Sequence, residues 1–259
     1  MSKYPRTKKS LGQHFLKDGN MIRKIVDSIP ADGESAVIEI GPGAGALTFE
    51  LMGRFMDFSV IEIDIRMVEF LKDKFPGLTV YHEDVLNVNW NKFTDQKTNV
   101  HVVGNLPYYI TSQILFSLLE SRTLFKSALL MMQKEVAERI VAKPNTKEYG
   151  ILSVQCQLMA SPEILFDVPP QVFSPPPNVQ SSVIQLFFDK PPLLCADENL
   201  KKVVRMAFNQ RRKKLSNSLK RLNINLPSDQ FDFNLRAEAI SPTGYEKMTA
   251  HFEQLGTFD

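Results

Sequence analysis

The chain has 259 residues, 43% apolar and 23% charged, with a formal net charge of +2, which suits one large globular domain or one domain plus a small one. No apolar run reaches the roughly 18 residues of a membrane span, and the basic N-terminus lacks a signal peptide's apolar stretch, so a cytoplasmic protein with no membrane partner is expected. Two cysteines, Cys156 and Cys195, make neither a disulfide framework nor a thiolate zinc site, and no metal is expected.

Residues 20–29, NMIRKIVDSI, put Met21, Ile22, Ile25, Val26 and Ile29 on one side of a helix. Pro30 and Asp32-Gly33 end it. SAVIEIG reads as a buried parallel strand. Gly41-Pro42-Gly43-Ala44-Gly45 then makes a tight turn before a helix over about 46–55. FSVIEID is a second strand, IRMVEFLKDKF a second helix, and LTVYHEDVL a third strand ending in an acid. VHVVGN is a fourth strand, leading through Asn105-Leu106-Pro107-Tyr108 into a helix over about 112–121. SALLMMQKEVAERIVA joins a strand to a helix. Residues 149–159 read as helical, with strand as the alternative, and SSVIQLFFD is a strand with period-2 alternation. Strands alternating with helices predict an α/β domain: a parallel sheet with helices on both faces and ligands beyond the carboxyl ends of the strands. After Lys190-Pro191-Pro192 the pattern turns helical and basic, and NLRAEAISPTGYEKMTAHFEQL suggests two further short helices. The expected organisation is a first domain over 1–192 and a small all-helical C-terminal domain over 193–259.

Several candidate groups fall at predicted strand ends. Gly41, Gly43 and Gly45 let backbone approach a ligand and turn sharply. Glu62, 21 residues beyond Gly41, ends strand two, where a carboxylate can accept both hydroxyls of a ribose. Nicotinamide enzymes and methyltransferases that use S-adenosylmethionine share that geometry. Asp84 ends strand three and suits an adenine amine. Taken alone, either acid is as readily a helix cap or a surface carboxylate; both beside a glycine turn argue for a site. The Asn105–Tyr108 turn fits a harder task, that of making adenine's exocyclic amine attack a methyl donor. Asn105 offers a side-chain carbonyl, the residues beside Pro107 offer backbone carbonyls, Pro107 stiffens the turn, and Tyr108 offers a face on which a flipped base can stack. An ordinary strand-to-helix turn is the alternative. Cys156 reads as core, the histidines lack metal-ligand spacing, and no phosphate-transfer loop is present. Charge is concentrated at Arg6, Lys8 and Lys9, and at Arg211, Arg212, Lys213, Lys214, Lys220 and Arg221. Such patches suit phosphate contacts as well as solvated faces.

The segments LGQHFLKD, VIEIGPGAGALT, VIEID, EDVL, GNLPYYI, MMQKEVAERIVAKPNTKEYGILSV, VPPQVFSPPPNVQSSVI and AFNQRRKKLSNSL, in that order, resemble the bacterial small-subunit ribosomal RNA adenine dimethyltransferases, the KsgA/RsmA family. The resemblance covers almost the full length. It implies a Rossmann-like S-adenosyl-L-methionine-dependent domain with a helical, rRNA-binding tail. It also implies transfer of methyl groups to the N6 amines of two adjacent adenosines in a hairpin near the 3′ end of small-subunit rRNA. His14 and Leu16 would lie over the cofactor, in an arm where many relatives have Asn in place of His14. Gly41 and Gly43 would line its methionine and ribose end. Glu62 would take the ribose hydroxyls and Asp84 the adenine. Asn105 would serve cofactor and target amine, Leu106 and Pro107 would lend carbonyls, and Tyr108 and Phe173 would sandwich the target base. A basic tail helix over about 211–221 would grip rRNA phosphates. The implied partner is the small ribosomal subunit, met as a monomer.

Four other functions share parts of this pattern. A large-subunit rRNA methyltransferase conferring antibiotic resistance has the same cofactor and adenine motifs, but AFNQRRKKLSNSL and EYGILSV favour the small-subunit family. A non-catalytic assembly factor should have lost Glu62 or the Asn105–Tyr108 turn, and both are intact. A nicotinamide oxidoreductase needs a longer glycine fingerprint. Methylation of DNA adenine is chemically open, and a binding comparison of duplex DNA with an rRNA hairpin separates it.

Overall fold

The computed structural model describes residues 13–222 and 230–258; Arg6, Lys8 and Lys9 lie outside the described residues. In chain order the elements are β1 (Phe15–Leu16), α1 (Gly19–Asp27), β2 (Ala36–Ile40), α2 (Ala46–Met52), β3 (Asp57–Glu62), α3 (Ile65–Lys74), β4 (Thr79–His82), α4 (Asn91–Thr94), β5 (Val100–Asn105) and α5 (Thr111–Glu120). There follow β6 (Ser127–Gln133), α6 (Lys134–Val141), α7 (Ile151–Met159), β7 (Ser161–Val168), β8 (Phe173–Ser174), β9 (Ser181–Phe187), α8 (Asp197–Asn209), α9 (Leu215–Ser218) and α10 (Pro242–Gln254).

The main sheet has the order β4-β3-β2-β5-β6-β9-β7. β2 pairs in parallel with β3 and β5, β3 with β4, and β5 with β6. The central strands are near-continuous apolar runs because helices cover both faces; Ile38, Val60, Val102 and Leu130 are fully buried. The expected parallel order holds through β6 and fails at β9, which runs antiparallel to β6. The cause lies at the point of entry. Lys134 N–H donates to the Gln180 carbonyl at 2.9 Å, so the chain re-enters the sheet beside the end where β6 leaves it and must run back. β7, which the sequence pattern missed, shows no alternation: its residues are half-buried apart from exposed Glu163 and buried Val168.

Two compact units form. One comprises Met1–Ala137 and Glu163–Phe188, and the other Glu138–Pro162 and Asp189–Asp259. The composition change near 190–196 marks one crossing between them, and the second unit also takes in 138–162. α7 explains this. Val154, Cys156, Leu158 and Met159 are all buried, and α7 packs on α8 and α10, supplying apolar surface that Val203, Val204, Tyr245 and Phe252 need. Burial pushes the Cys156 thiol up to about 12, the mark of an inert core residue.

The turn before α2 depends on glycine at one position above all. Gly45 caps α2 with φ of 80°, and a Cβ there would lie 2.6 Å from Phe75 Cε2 and 3.0 Å from Leu71 Cδ2. Gly45→Ala is expected to cost about 2 kcal/mol or more, from left-handed strain and overpacking together. Urea unfolding measures it; an unchanged midpoint would contradict this packing.

Candidate active site

A cavity of about 270 Å³ opens at the carboxyl ends of β2, β3 and β5. Its floor is the glycine turn. Gly41 has φ of 63°, and nothing lies within 4 Å of where its Cβ would be, so bare backbone faces open space. Gly43 N–H donates to Glu62 Oε2 at 3.2 Å, and Asp64 N–H donates to Glu62 Oε1 at 2.8 Å. Glu62 is thereby held at the end of β3, with a lone pair left on each oxygen. Burial raises its pKa and these N–H groups oppose the rise. Asp84 lies just past the end of β4. Its carboxylate accepts from Leu86 N–H at 3.0 Å and from Asn87 Nδ2 at 2.9 Å.

The N-terminal arm folds over this floor. β1 pairs antiparallel with β8, setting Leu16 opposite Phe173 and Phe15 opposite Ser174. His14 Nδ1 lies 2.8 Å from the Pro175 carbonyl; a carbonyl can only accept, so Nδ1 carries the proton. Asn105 Nδ2 donates to the His14 carbonyl at 3.1 Å. The same logic fixes the amide: Nδ2 faces the arm, and Oδ1 is left as an acceptor with no donor among the described residues. His14, Leu16, Gly41, Gly43, Glu62, Asp84, Asn105, Leu106, Pro107 and Tyr108 all line the cavity.

Three expectations change at the target end. The Pro107 carbonyl accepts from Ile110 N–H at 3.2 Å and from Thr111 Oγ1 at 3.0 Å. Both its lone pairs are spent starting α5, so it is no acceptor for a substrate. The Leu106 carbonyl, by contrast, takes no hydrogen bond from the described residues, while Leu106 N–H donates to Met131 O at 3.0 Å. Phe173 is 1% exposed within the core beside Leu16 and does not line the cavity, because its β8 pairing turns the ring inward. Tyr108 has a hydroxyl 2.8 Å from Ser181 Oγ and a ring stacked on His14 at 5.8 Å. One of its faces is therefore already used.

Sequence reading missed Glu39, in the middle of β2. It is buried, accepts from Thr48 Oγ1 at 2.7 Å, and burial raises it to about 8. The signal was a lone acid inside the apolar run VIEI.

The second unit holds the basic cluster in pieces after α8, with Arg211, Arg212 and Lys213 in a turn and Lys220 and Arg221 on a short 3-10 helix over Lys220–Leu222, not on one continuous helix. Arg212, Lys213, Lys214, Lys220 and Arg221 are exposed. Arg211 is committed elsewhere: its guanidinium donates to the carbonyls of Lys147 at 2.9 Å and Thr146 at 3.0 Å, and pairs with Glu238 at 3.6 Å. It clamps the 142–149 loop, which Asn145 N–H and Tyr149 OH also tie down, to Glu238 O at 2.8 Å and Ile240 O at 2.7 Å. Among the described residues no group of acids, histidines or cysteines can hold a metal ion.

Glu39 gives a pH prediction. Its folded pKa of about 8 lies above the ordinary carboxyl value of 4.5, so the folded state binds the extra proton. Stability is full below about 4.5, falls as pH rises, and levels off above about 8. Glu39→Gln, which keeps an acceptor for Thr48, is expected to flatten most of that fall, Glu62 supplying the rest. Urea midpoints between pH 5 and 9 test it; an equal slope in the variant would contradict the assignment.

The family described as "Ribosomal RNA adenine dimethylase" matches residues 5–249. The chain is 46% identical over 255 residues to "Ribosomal RNA small subunit methyltransferase A" of Salinibacter ruber, covering 96% of this chain and 86% of the relative. A solved dimethyladenosine transferase from Plasmodium falciparum superposes with a TM-score of 0.81 at 27% identity, covering 94% of this chain and 98% of that one. The solved 23S rRNA methyltransferase ErmE gives 0.68 at 26%, covering 93% and 99%. With a match spanning nearly every element above, this chain belongs to the ribosomal RNA adenine dimethylase family.

Proposed function

We propose that the chain transfers methyl groups from S-adenosyl-L-methionine to the N6 amines of two adjacent adenosines in a hairpin near the 3′ end of small-subunit rRNA. It would work in the cytoplasm as a monomer on the small ribosomal subunit. Family membership supports the reaction, and the relative from Salinibacter ruber supports the subunit. The observation that carries the chemistry is the pair of unclaimed acceptors, Asn105 Oδ1 and Leu106 O, on the wall of the cavity.

The residues present fit the methyl donor. The open backbone of Gly41 admits its methionine end, and Glu62 and Asp84 stand at successive strand ends for its ribose and adenine. Ile63, Val85 and Leu86 line the same cavity with apolar surface. S-adenosyl-L-methionine supplies an electrophilic methyl group on a sulfonium. The protein's task is then geometric. In the first transfer Asn105 Oδ1 and Leu106 O would accept the two N–H bonds of the target amine, and in the second the one N–H that remains, drawing its lone pair out of the purine ring and aiming it at the methyl carbon. The N–C bond forms as the C–S bond breaks, and the amine's extra proton leaves to water. No strong base is needed, because methylation itself makes the nitrogen acidic. Arg212, Lys213, Lys214, Lys220 and Arg221 would contact phosphates, which position RNA without reading its sequence. Arg211 shapes that surface and leaves phosphate to its neighbours.

The test is transfer from labelled S-adenosyl-L-methionine to small subunits lacking dimethyladenosine. Wild type is expected to dimethylate them, and Asn105→Ala to lose about 10²–10³ in rate, as for removal of one positioned polar group. Binding without transfer by wild type would instead favour an assembly factor. Transfer to large-subunit rRNA would make the resistance-enzyme reading correct, in line with the ErmE likeness.

A further inference from the structure

Two tyrosines stand side by side in the turn after β5, and the fold uses only one. Tyr108 is half-buried, bonded to Ser181 and stacked on His14. Tyr109 is 60% exposed and lines the same cavity. Its side chain makes no hydrogen bond or ring contact with any described residue. Leaving an aromatic ring in water forgoes the stabilisation its burial would bring, so folding gives no reason for this side chain.

Its backbone is nonetheless held. Ile110 N–H and Thr111 Oγ1 both donate to the Pro107 carbonyl, at 3.2 and 3.0 Å, closing the turn on either side of Tyr109. The ring is thus carried on a rigid support at the cavity's edge. Depth separates it from the acceptors: Leu106 is 1% exposed and Asn105 is partly buried. An amine placed between Asn105 Oδ1 and Leu106 O lies inside the cavity, and a ring at the rim meets whatever comes next along the strand. A flat, exposed aromatic surface with two rotatable bonds is what a splayed single strand stacks on, without regard to base identity.

We propose that Tyr109 is a stacking platform for the nucleotide adjoining the target adenosine, holding the strand open at the cavity rim while the target base is inside. The inference rests on the rRNA methyltransferase reading and deepens it. With two adjacent adenosines as targets, the platform holds one while the other reacts.

Steady-state methylation of small subunits lacking dimethyladenosine, by wild type, Tyr109→Ala and Tyr109→Phe, tests it beside calorimetric titration of each with S-adenosyl-L-methionine. Tyr109→Ala is expected to raise the KM for the subunit about ten-fold, the effect of losing one base–aromatic stack, with kcat keeping most of its value. Tyr109→Phe keeps the ring and is expected to stay near wild type, and all three should bind S-adenosyl-L-methionine alike. A wild-type KM in Tyr109→Ala would overturn the inference. So would a Tyr109→Phe as defective as Tyr109→Ala, which would assign the role to the hydroxyl, or a loss of S-adenosyl-L-methionine affinity with the ring, which would assign Tyr109 to the donor. In each of these cases an active wild type leaves the methyltransferase reading standing, whereas a wild type inactive on subunits would overturn both.

Discussion

The site depends on one hydrogen bond between distant parts of the chain, from Asn105 Nδ2 to the His14 carbonyl. Its contribution to stability is ordinary, about 1 kcal/mol. Its contribution to the proposed chemistry is direction. An amide free to turn presents a donor or an acceptor to a substrate amine with little preference, and a donor there would repel the N–H it must receive. By occupying Nδ2, the arm commits Oδ1 to the cavity. The arm in turn is held by the β1–β8 pairing, by burial of Leu16 against the core that holds Phe173, and by His14 Nδ1 on Pro175. Preorganised acceptors need no rearrangement as charge develops on the attacking nitrogen, which is where such groups contribute most.

The second constraint is electrostatic. Parallel strands deliver their carboxyl ends to one edge of the sheet, and this chain places Glu39 and Glu62 on neighbouring strands beneath the same cavity. Two carboxylates so close to apolar surroundings resist ionising together. Glu39 answers with a raised pKa and a hydrogen bond from Thr48, and Glu62 with two backbone N–H donors. The difference suits their positions. Glu39 sits in the strand as a neutral acid bonded by Thr48, while Glu62, fixed by the glycine turn, keeps lone pairs facing the cavity.

Much of this was legible in the sequence where local periodicity reports on burial. Strands β2 to β6 and helices α1, α2, α3 and α5 appear because elements that bury apolar surface are written as apolar runs or stripes, and the groups at the strand ends follow from parallel topology; the short β1 and α4 carry no such signal. Non-local facts were not legible. The two-residue pairing of β1 with β8 has no periodic signature, yet it decides that Phe173 points into the core. The direction of β9 depends on where the chain re-enters the sheet. Assignment of 138–162 to the second unit depends on α7 being apolar on nearly every side. Pro107 and Arg211 already have hydrogen-bond partners inside the fold. A residue type shows that a carbonyl or a guanidinium is present, and only the fold shows that Ile110, Thr111 and the 142–149 loop have already claimed it.

In the proposed reaction the target amine is held by Asn105 Oδ1 and the Leu106 carbonyl. A crystal structure with a non-reactive sulfonium analogue of the donor and an adenosine nucleotide tests it most directly. The nucleotide's N6 is expected within about 3 Å of both oxygens, with Nδ2 of Asn105 still on the His14 carbonyl. An N6 bonded to the Pro107 carbonyl, or an Asn105 amide turned to present Nδ2 to the base, would contradict it.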